Sequence, residues 1–211
     1  MRGPCRLVIP IIENKPLHLA SSSPRRQEIL AALGLEFSVG GPDVDETRRD
    51  GESAGDMVLR LAQAKAEAGS GAPGSVVIGA DTAVVLGERV FGKPADEADA
   101  IDMLVQLSGR THQVLTGVAV RDDGETRSVL SSTDVRFREI RQDEARNYWQ
   151  SGEPADKAGA YAIQGLGGVF VEGISGSYSG VVGLPVFETV TLLEKAGIRV
   201  LKSPAGAGSS R

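Results

Sequence analysis

The sequence has one cysteine, Cys5, and two histidines, His18 and His112. A single thiol excludes an intrachain disulfide and a cysteine-rich zinc site, and two well-separated imidazoles do not make a metal centre. Cys5 reads as a passenger in an N-terminal arm, and His18, within a strand, as a packed core residue. Aromatic residues are scarce, at 4%. Long apolar runs are missing too. The stretch Leu7 to Ile12 is short and broken by Pro10, too little for a secretory segment, and nothing later approaches a membrane span. A cytoplasmic protein with no membrane partner is expected. Basic charge is not in excess, with 23 basic against 28 acidic residues and a net charge of −5. That balance argues against nonspecific binding to nucleic acid, which needs a basic face. No Gly-x-Ser-x-Gly elbow is present, which removes a serine–histidine hydrolase.

The 211 residues, 41% of them hydrophobic and 24% charged, suffice for a compact α/β unit with a core that needs no disulfide. An arm over residues 1–16, one domain over 17–201 and a small, polar tail over 202–211, expected to be disordered, divide the chain. The 27 glycines mark places where backbone turns sharply or comes close to a ligand. Leu17 to Ala20 reads as a buried strand. Ser23 suits an N-cap and Pro24 the first position of a helix running to Leu33. Asp56 to Ala68 is a second helix, with Met57, Leu61 and Ala64 on one face. Ser75 to Gly79 reads as a strand that stops at Ala80-Asp81-Thr82 before Val84 to Leu86 resumes. Pro94 to Leu107 is a third helix with Ile101, Leu104 and Val105 inward. Val114 to Val120 and Ser128 to Phe137 form a hairpin about Asp122-Asp123-Gly124. Asp143 to Gln150 is helical. Ala158 to Gly183 alternates short strands with tight turns, and Leu184 to Ala196 is a closing helix. Several neighbouring strands are too closely connected for an all-parallel sheet, so a mixed-sheet α/β fold is expected.

Five segments offer chemistry. Gly87 to Lys93 has the glycine and lysine spacing of a phosphate-cradling loop, but Pro94 stands where that loop needs a hydroxyl for magnesium. Lys93 remains a candidate phosphate contact as a single charge. Ser21-Ser22-Ser23-Pro24-Arg25-Arg26 leads a strand into a helix N-terminus, which is either an anion site or a capped helix with solvated arginines. Two arginines in a first turn oppose the helix dipole unless an anion sits there. Asp81, in Gly79-Ala80-Asp81-Thr82, suits a magnesium ligand, a general base, or a turn cap. The acidic loop Asp43-Val44-Asp45-Glu46 is either a metal-ligand source or a solvated loop, and Lys65 on the second helix is equally ambiguous. Gln164, set among glycines from Tyr161 to Gly168, is either beside a ligand or part of a turn cluster.

Taken together, LASSSPRRQEIL, RLAQAKA, GADTAVVL, FGKP, LSGRTHQVLTGVA and SGEPADKAGAYAIQGLGGVFVEGISGSYSGVVGLP resemble the Maf family, in family order from Leu17 to about Ala196. The resemblance implies nucleoside triphosphate pyrophosphatase activity and a deep cleft between two lobes, in an architecture related to inosine triphosphate pyrophosphatases. It also implies a divalent metal, magnesium or manganese, and a homodimer. It makes Asp81 the proton acceptor, and Arg25, Arg26, Lys65 and Lys93 the substrate contacts, with Ser21 and Ser23 adding hydroxyl or cap contacts. Glu46 would join Asp81 on the metal. Ser22 departs from the glycine expected there. Arg25, Thr82 and Gln164 fall on the family's specificity positions and resemble the branch acting on dTTP and UTP. A glutamine amide both donates and accepts, which matches the N3–H and carbonyl edge of uracil or thymine. The alternatives are 7-methyl-GTP or another noncanonical nucleotide, and a septum-formation role exercised through binding.

Overall fold

The computed structural model describes residues 15–201. Cys5 and the polar tail, with the expectations placed on them, lie outside the described residues. A seven-stranded mixed sheet organises the described residues. Strand β1 (Leu17–Leu19) lies parallel to both β2 (Ser38–Val39) and β3 (Val76–Leu86). Beyond β3 every pairing is antiparallel. The hairpin partner β4 (Arg89–Phe91) folds back on β3, and β5 (Thr111–Asp122), β6 (Glu125–Phe137) and β7 (Val171–Ser175) extend the other side. Connection length decides this. Two helices and β2 separate β1 from β3, whereas only Asp123 and Gly124 separate β5 from β6. Their φ values, 48° and 82°, are the left-handed pair of a type I′ hairpin turn.

The helices are α1 (Pro24–Ala32), α2 (Ala54–Ala68), α3 (Glu97–Leu107), α4 (Gln142–Trp149), α5 (Tyr178–Val182) and α6 (Val186–Lys195). Among the described residues, no helix is long and apolar enough to cross a membrane. The Ser53 hydroxyl accepts the Asp56 N–H and starts α2, a cap worth about 1 kcal/mol. Asp96 caps α3 in the same way, so that helix begins after Pro94 rather than at it. Val105 is 44% exposed, not inward, because the buried stripe of α3 runs through Ala100, Ile101, Leu104 and Leu107. Ser23 does not cap α1 with its hydroxyl; its backbone N–H donates to Ser21 Oγ at 3.2 Å instead. The glycine-dense stretch holds few strands. A 3₁₀ turn at Glu153–Asp156 precedes it, and it forms two more at Ala158–Ala160 and Leu166–Phe170 before β7 and α5.

Strand β3 is the axis of the molecule, and it does not stop at Ala80-Asp81-Thr82. Residues Val77 to Val85 pair continuously with β5. Its other edge is divided. β1 covers Val76 to Ile78 and β4 covers Val84 to Leu86, and between them no described strand pairs with residues 79–83. A core packs on each side of this gap. One gathers Leu19, Leu30, Ile78, Ala80, Leu184 and Leu193 around β1, α1 and α6. The other gathers Val84, Phe91, Leu104, Phe137, Tyr148 and Phe170 around β4, α3 and α4. Each fully buried Leu or Ile contributes about 1.5–3 kcal/mol relative to exposure, enough to hold two lobes on one sheet. The opposite face of β3 carries α2, whose Met57, Val58 and Leu61 meet Ala83 and Val85.

The approach of α2 to the sheet is set by two glycines. A Cβ built on Gly79 would lie 2.2 Å from the Ala62 carbonyl oxygen, and one on Gly117 would lie 2.4 Å from that of Val58. Only hydrogen side chains admit helix backbone this close. Gly79 and Asp81 share one face of β3, since side chains alternate along a strand. Pressing α2 onto Gly79 therefore seats the turn between Ala62 and Ala66, which carries Lys65, within reach of Asp81.

Candidate active site

A cleft of about 620 Å³ opens at the gap beside residues 79–83, within the size range of small-molecule sites. Asp81 and Thr82 enter it from opposite faces of β3. The Asp81 side chain is 15% exposed and that of Lys65 11%. Lys65 occupies the buried face of α2, where an unpaired ammonium would be costly. Its Nζ donates to Asp81 Oδ1 at 2.7 Å and lies 2.6 Å from Glu46 Oε1, so one ammonium draws two carboxylates together. The Lys65 hydrogen bond holds the Glu46 carboxyl below its ordinary range, against the upward push of burial, with Lys93 and Arg26 adding to the lowering. Three cations therefore act on this carboxylate.

On the other face, Arg26 spans the floor of the cleft. Its Nε donates to the Gly183 carbonyl at 2.9 Å, and its terminal nitrogens to Ser21 Oγ at 3.2 Å and Thr82 Oγ1 at 3.3 Å. Burial lowers the guanidinium's pKa, Asp81 and Glu46 oppose that, and Arg25 reinforces it; an arginine remains charged throughout. Thr82 is fixed in turn by Thr116, 3.0 Å away, whose hydroxyl donates to the Gly180 carbonyl at 2.8 Å. Arg25 points across the cleft to Asp156, at 3.3 Å.

All ten residues singled out from the sequence line this one cleft: Ser21, Ser23, Arg25 and Arg26 at the start of α1, Glu46 on its loop, Lys65, Asp81, Thr82, Lys93 and Gln164. Sequence reasoning missed other members. Asp156 and Lys157 form an ion pair on the cleft wall, and Thr116 and Gly183 hold Thr82 and Arg26 in place. The signal for Asp156 and Lys157 was present in the segment SGEPADKAG, but the 3₁₀ turn that exposes them depends on distant partners. His112 is not a site residue. It is buried on β5 with Nε2 2.9 Å from the Tyr161 hydroxyl, and burial pushes its pKa down to about 4.

The carboxylates of Asp81 and Glu46 converge on a single cation in this structure, Lys65 Nζ. Among the described residues no group of three or more His, Cys, Asp or Glu could hold a metal ion alone. Two carboxylates are the usual protein share of a magnesium site whose other ligands are water and substrate phosphate. The donor set thus fits a divalent ion that arrives with a polyphosphate. A cleft walled by arginines and lysines and closed by paired carboxylates is the layout of a polyphosphate-binding hydrolase site.

The profile of the Maf family, described as Maf-like protein, matches residues 16–196. The chain belongs to that family. It is 53% identical over 188 residues to the dTTP/UTP pyrophosphatase of Hahella chejuensis, covering 87% of this chain and 94% of that one. It is 52% identical over 194 residues to the dTTP/UTP pyrophosphatase of Saccharophagus degradans, covering 90% and 92%. The protein of the same description from Vibrio parahaemolyticus is 52% identical over 181 residues, covering 85% and 96%. Among solved structures, the Ham1 protein of Staphylococcus aureus matches with a TM-score of 0.42 and 19% identity, over 58% of this chain and 72% of that one. That likeness is too loose to bear on the site.

Proposed function

We propose that this protein hydrolyses dTTP and UTP to the nucleoside monophosphate and pyrophosphate. The observation that carries the reading is the Glu46–Lys65–Asp81 cluster facing Arg26 across one cleft, in a chain about half identical to proteins described as dTTP/UTP pyrophosphatases. Arg25, Arg26 and Lys93 neutralise the triphosphate, and the start of α1, with Ser21 and Ser23, offers donors to the same anion. Asp81 accepts a proton from the water that attacks the α-phosphorus, and pyrophosphate is the leaving group. Lys65 orients Asp81 and Glu46 and keeps the two carboxylates from repelling each other. Asp81 and Glu46 are also the residues that would hold magnesium or manganese. Such an ion supplies charge neutralisation at the phosphate oxygens when bound. The Gln164 amide, at the far wall of the cleft, reads the N3–H and carbonyl edge of the pyrimidine. Assembly as a homodimer belongs to the same reading, and sedimentation velocity measures it.

The test is pyrophosphate release from a panel of nucleoside triphosphates, with and without magnesium or manganese. Metal-dependent release favouring dTTP and UTP supports the reading. Release from 7-methyl-GTP instead would overturn the specificity, and release from none would return the protein to a binding role.

A further inference from the structure

The turn that carries Gln164 is open at Leu166, which is 57% exposed, between the buried Ala162 and Phe170. Its backbone is held from behind by one carboxylate. Glu153 Oε1 accepts the Tyr148 hydroxyl at 2.6 Å and the Gly167 N–H at 3.0 Å, and Oε2 accepts the Leu166 N–H at 3.0 Å. The Tyr148 hydroxyl in turn accepts the Ala162 N–H at 3.0 Å. Three backbone donors that bracket Gln164 on both sides thus end on one carboxylate–phenol pair. The approach depends on glycine. A Cβ on Gly165 would lie 2.2 Å from Glu153 Oε2, and one on Gly167 would lie 2.5 Å from the Tyr148 hydroxyl. Burial pushes the Glu153 carboxyl up, but the hydrogen bonds from Tyr148, Gly167 and Leu166 together bring it below its usual value. The ionised form is therefore the one that holds the turn. Burial, and then the Glu153 contact, push the Tyr148 phenol up, so it stays a donor. Glu153 also opens the 3₁₀ turn bearing Asp156, and its carbonyl accepts from Lys157 Nζ at 3.2 Å.

We infer that Glu153, directly and through Tyr148, is a positioning residue for base selection: it fixes the Gln164 turn so that the amide meets the base in one orientation. Neither Glu153 nor Tyr148 lines the cleft, so neither touches substrate. The inference rests on the reading of Gln164 as the base-selecting residue.

Glu153→Gln places an amide NH₂ against a donor and should release the turn without changing its volume. Losing one charge-assisted hydrogen bond is worth about tenfold, so kcat/KM for UTP should fall by about that factor relative to CTP and 7-methyl-GTP, mainly through KM. Inhibition by inorganic triphosphate, which has no base, should stay within about twofold because its contacts are to the cations alone. Tyr148→Phe keeps the ring and removes only the hydroxyl link to Ala162, and should shift the same ratio in the same direction by less. If the wild-type protein selects among bases and both variants leave the ratio unmoved, the inference is overturned while the function stands. If triphosphate inhibition collapses together with UTP cleavage, Glu153 supports the whole site and the inference is also overturned. A wild-type protein with no base preference would overturn the reading of Gln164, and this inference with it.

Discussion

Gly79→Ala is the substitution that most directly probes how the fold makes the site. The added Cβ would sit 2.2 Å from the Ala62 carbonyl oxygen and 2.5 Å from the Ala66 nitrogen, against about 3.4 Å for ordinary contact. Both neighbours are helix backbone, which cannot rotate aside as a side chain can. The clash is relieved only if α2 lifts from the sheet by about 1 Å or β3 bows away, and overpacking of this kind costs about 1–3 kcal/mol. Lys65 lies on α2 between the two affected turns, and its Nζ is 2.7 Å from Asp81 Oδ1. A displacement of about 1 Å breaks that hydrogen bond and separates Glu46 from Asp81. Misplacement on this scale costs about 10²-fold in rate. Thermal unfolding and the kcat/KM for UTP, measured on the same preparation, give both quantities. The expected result is a folded protein with a lowered midpoint and an activity loss far larger than its unfolded fraction explains. Wild-type activity in a fully folded Gly79→Ala protein would refute the claim that the glycine contact seats Lys65 over Asp81.

Asp81→Asn should leave the fold intact and lower kcat by roughly 10²–10⁴-fold, the range for loss of a general base; near-wild-type turnover would remove Asp81 from the chemistry. Arg26→Lys replaces a planar fork that reaches Gly183, Ser21 and Thr82 together. A single ammonium cannot make those contacts and bind phosphate, so KM for UTP should rise by about tenfold, and an unchanged KM counts against the fork. His112 sets an acid limit on stability. Its folded pKa is about 4 against an ordinary 6.5, so between these values the unfolded chain binds more protons. The stabilisation is complete above pH 6.5 and is lost as the pH falls through this window, by up to about 3 kcal/mol. His112→Gln should flatten that part of the unfolding curve, and a slope identical to wild type would show that another group titrates there.

Much of the architecture was readable along the chain because it is local. The β5–β6 hairpin is written in Asp123-Gly124, the start of α1 in Pro24, and the buried face of α2 in Met57 and Leu61. What was not legible depends on distant partners. Gly79-Ala80-Asp81-Thr82 reads as a strand end because its polar and small residues interrupt an apolar run. The strand continues because β5 pairs with it throughout, and what ends there is the cover of β1 on the opposite edge. That uncovered edge is where the cleft forms, so the polar residues do mark the site, though not a turn. The stretch from Ala158 onward looks like short strands and becomes 3₁₀ turns, because Glu153 and Tyr148 capture backbone donors that a sheet would have used. Each candidate in the cleft was ambiguous alone. Residues as far apart in sequence as Ser21 and Gln164 share one cavity, and no single segment carries that information.

The measurement that tests the central claim most directly is the fate of oxygen-18 from labelled water during UTP turnover, read by mass spectrometry of the products. Attack at the α-phosphorus, as proposed for the water beside Asp81, predicts labelled UMP and unlabelled pyrophosphate in equal amounts. Labelled pyrophosphate would place the attack at the β-phosphorus. UDP with labelled phosphate would place it at the γ-phosphorus, and either result would contradict the account.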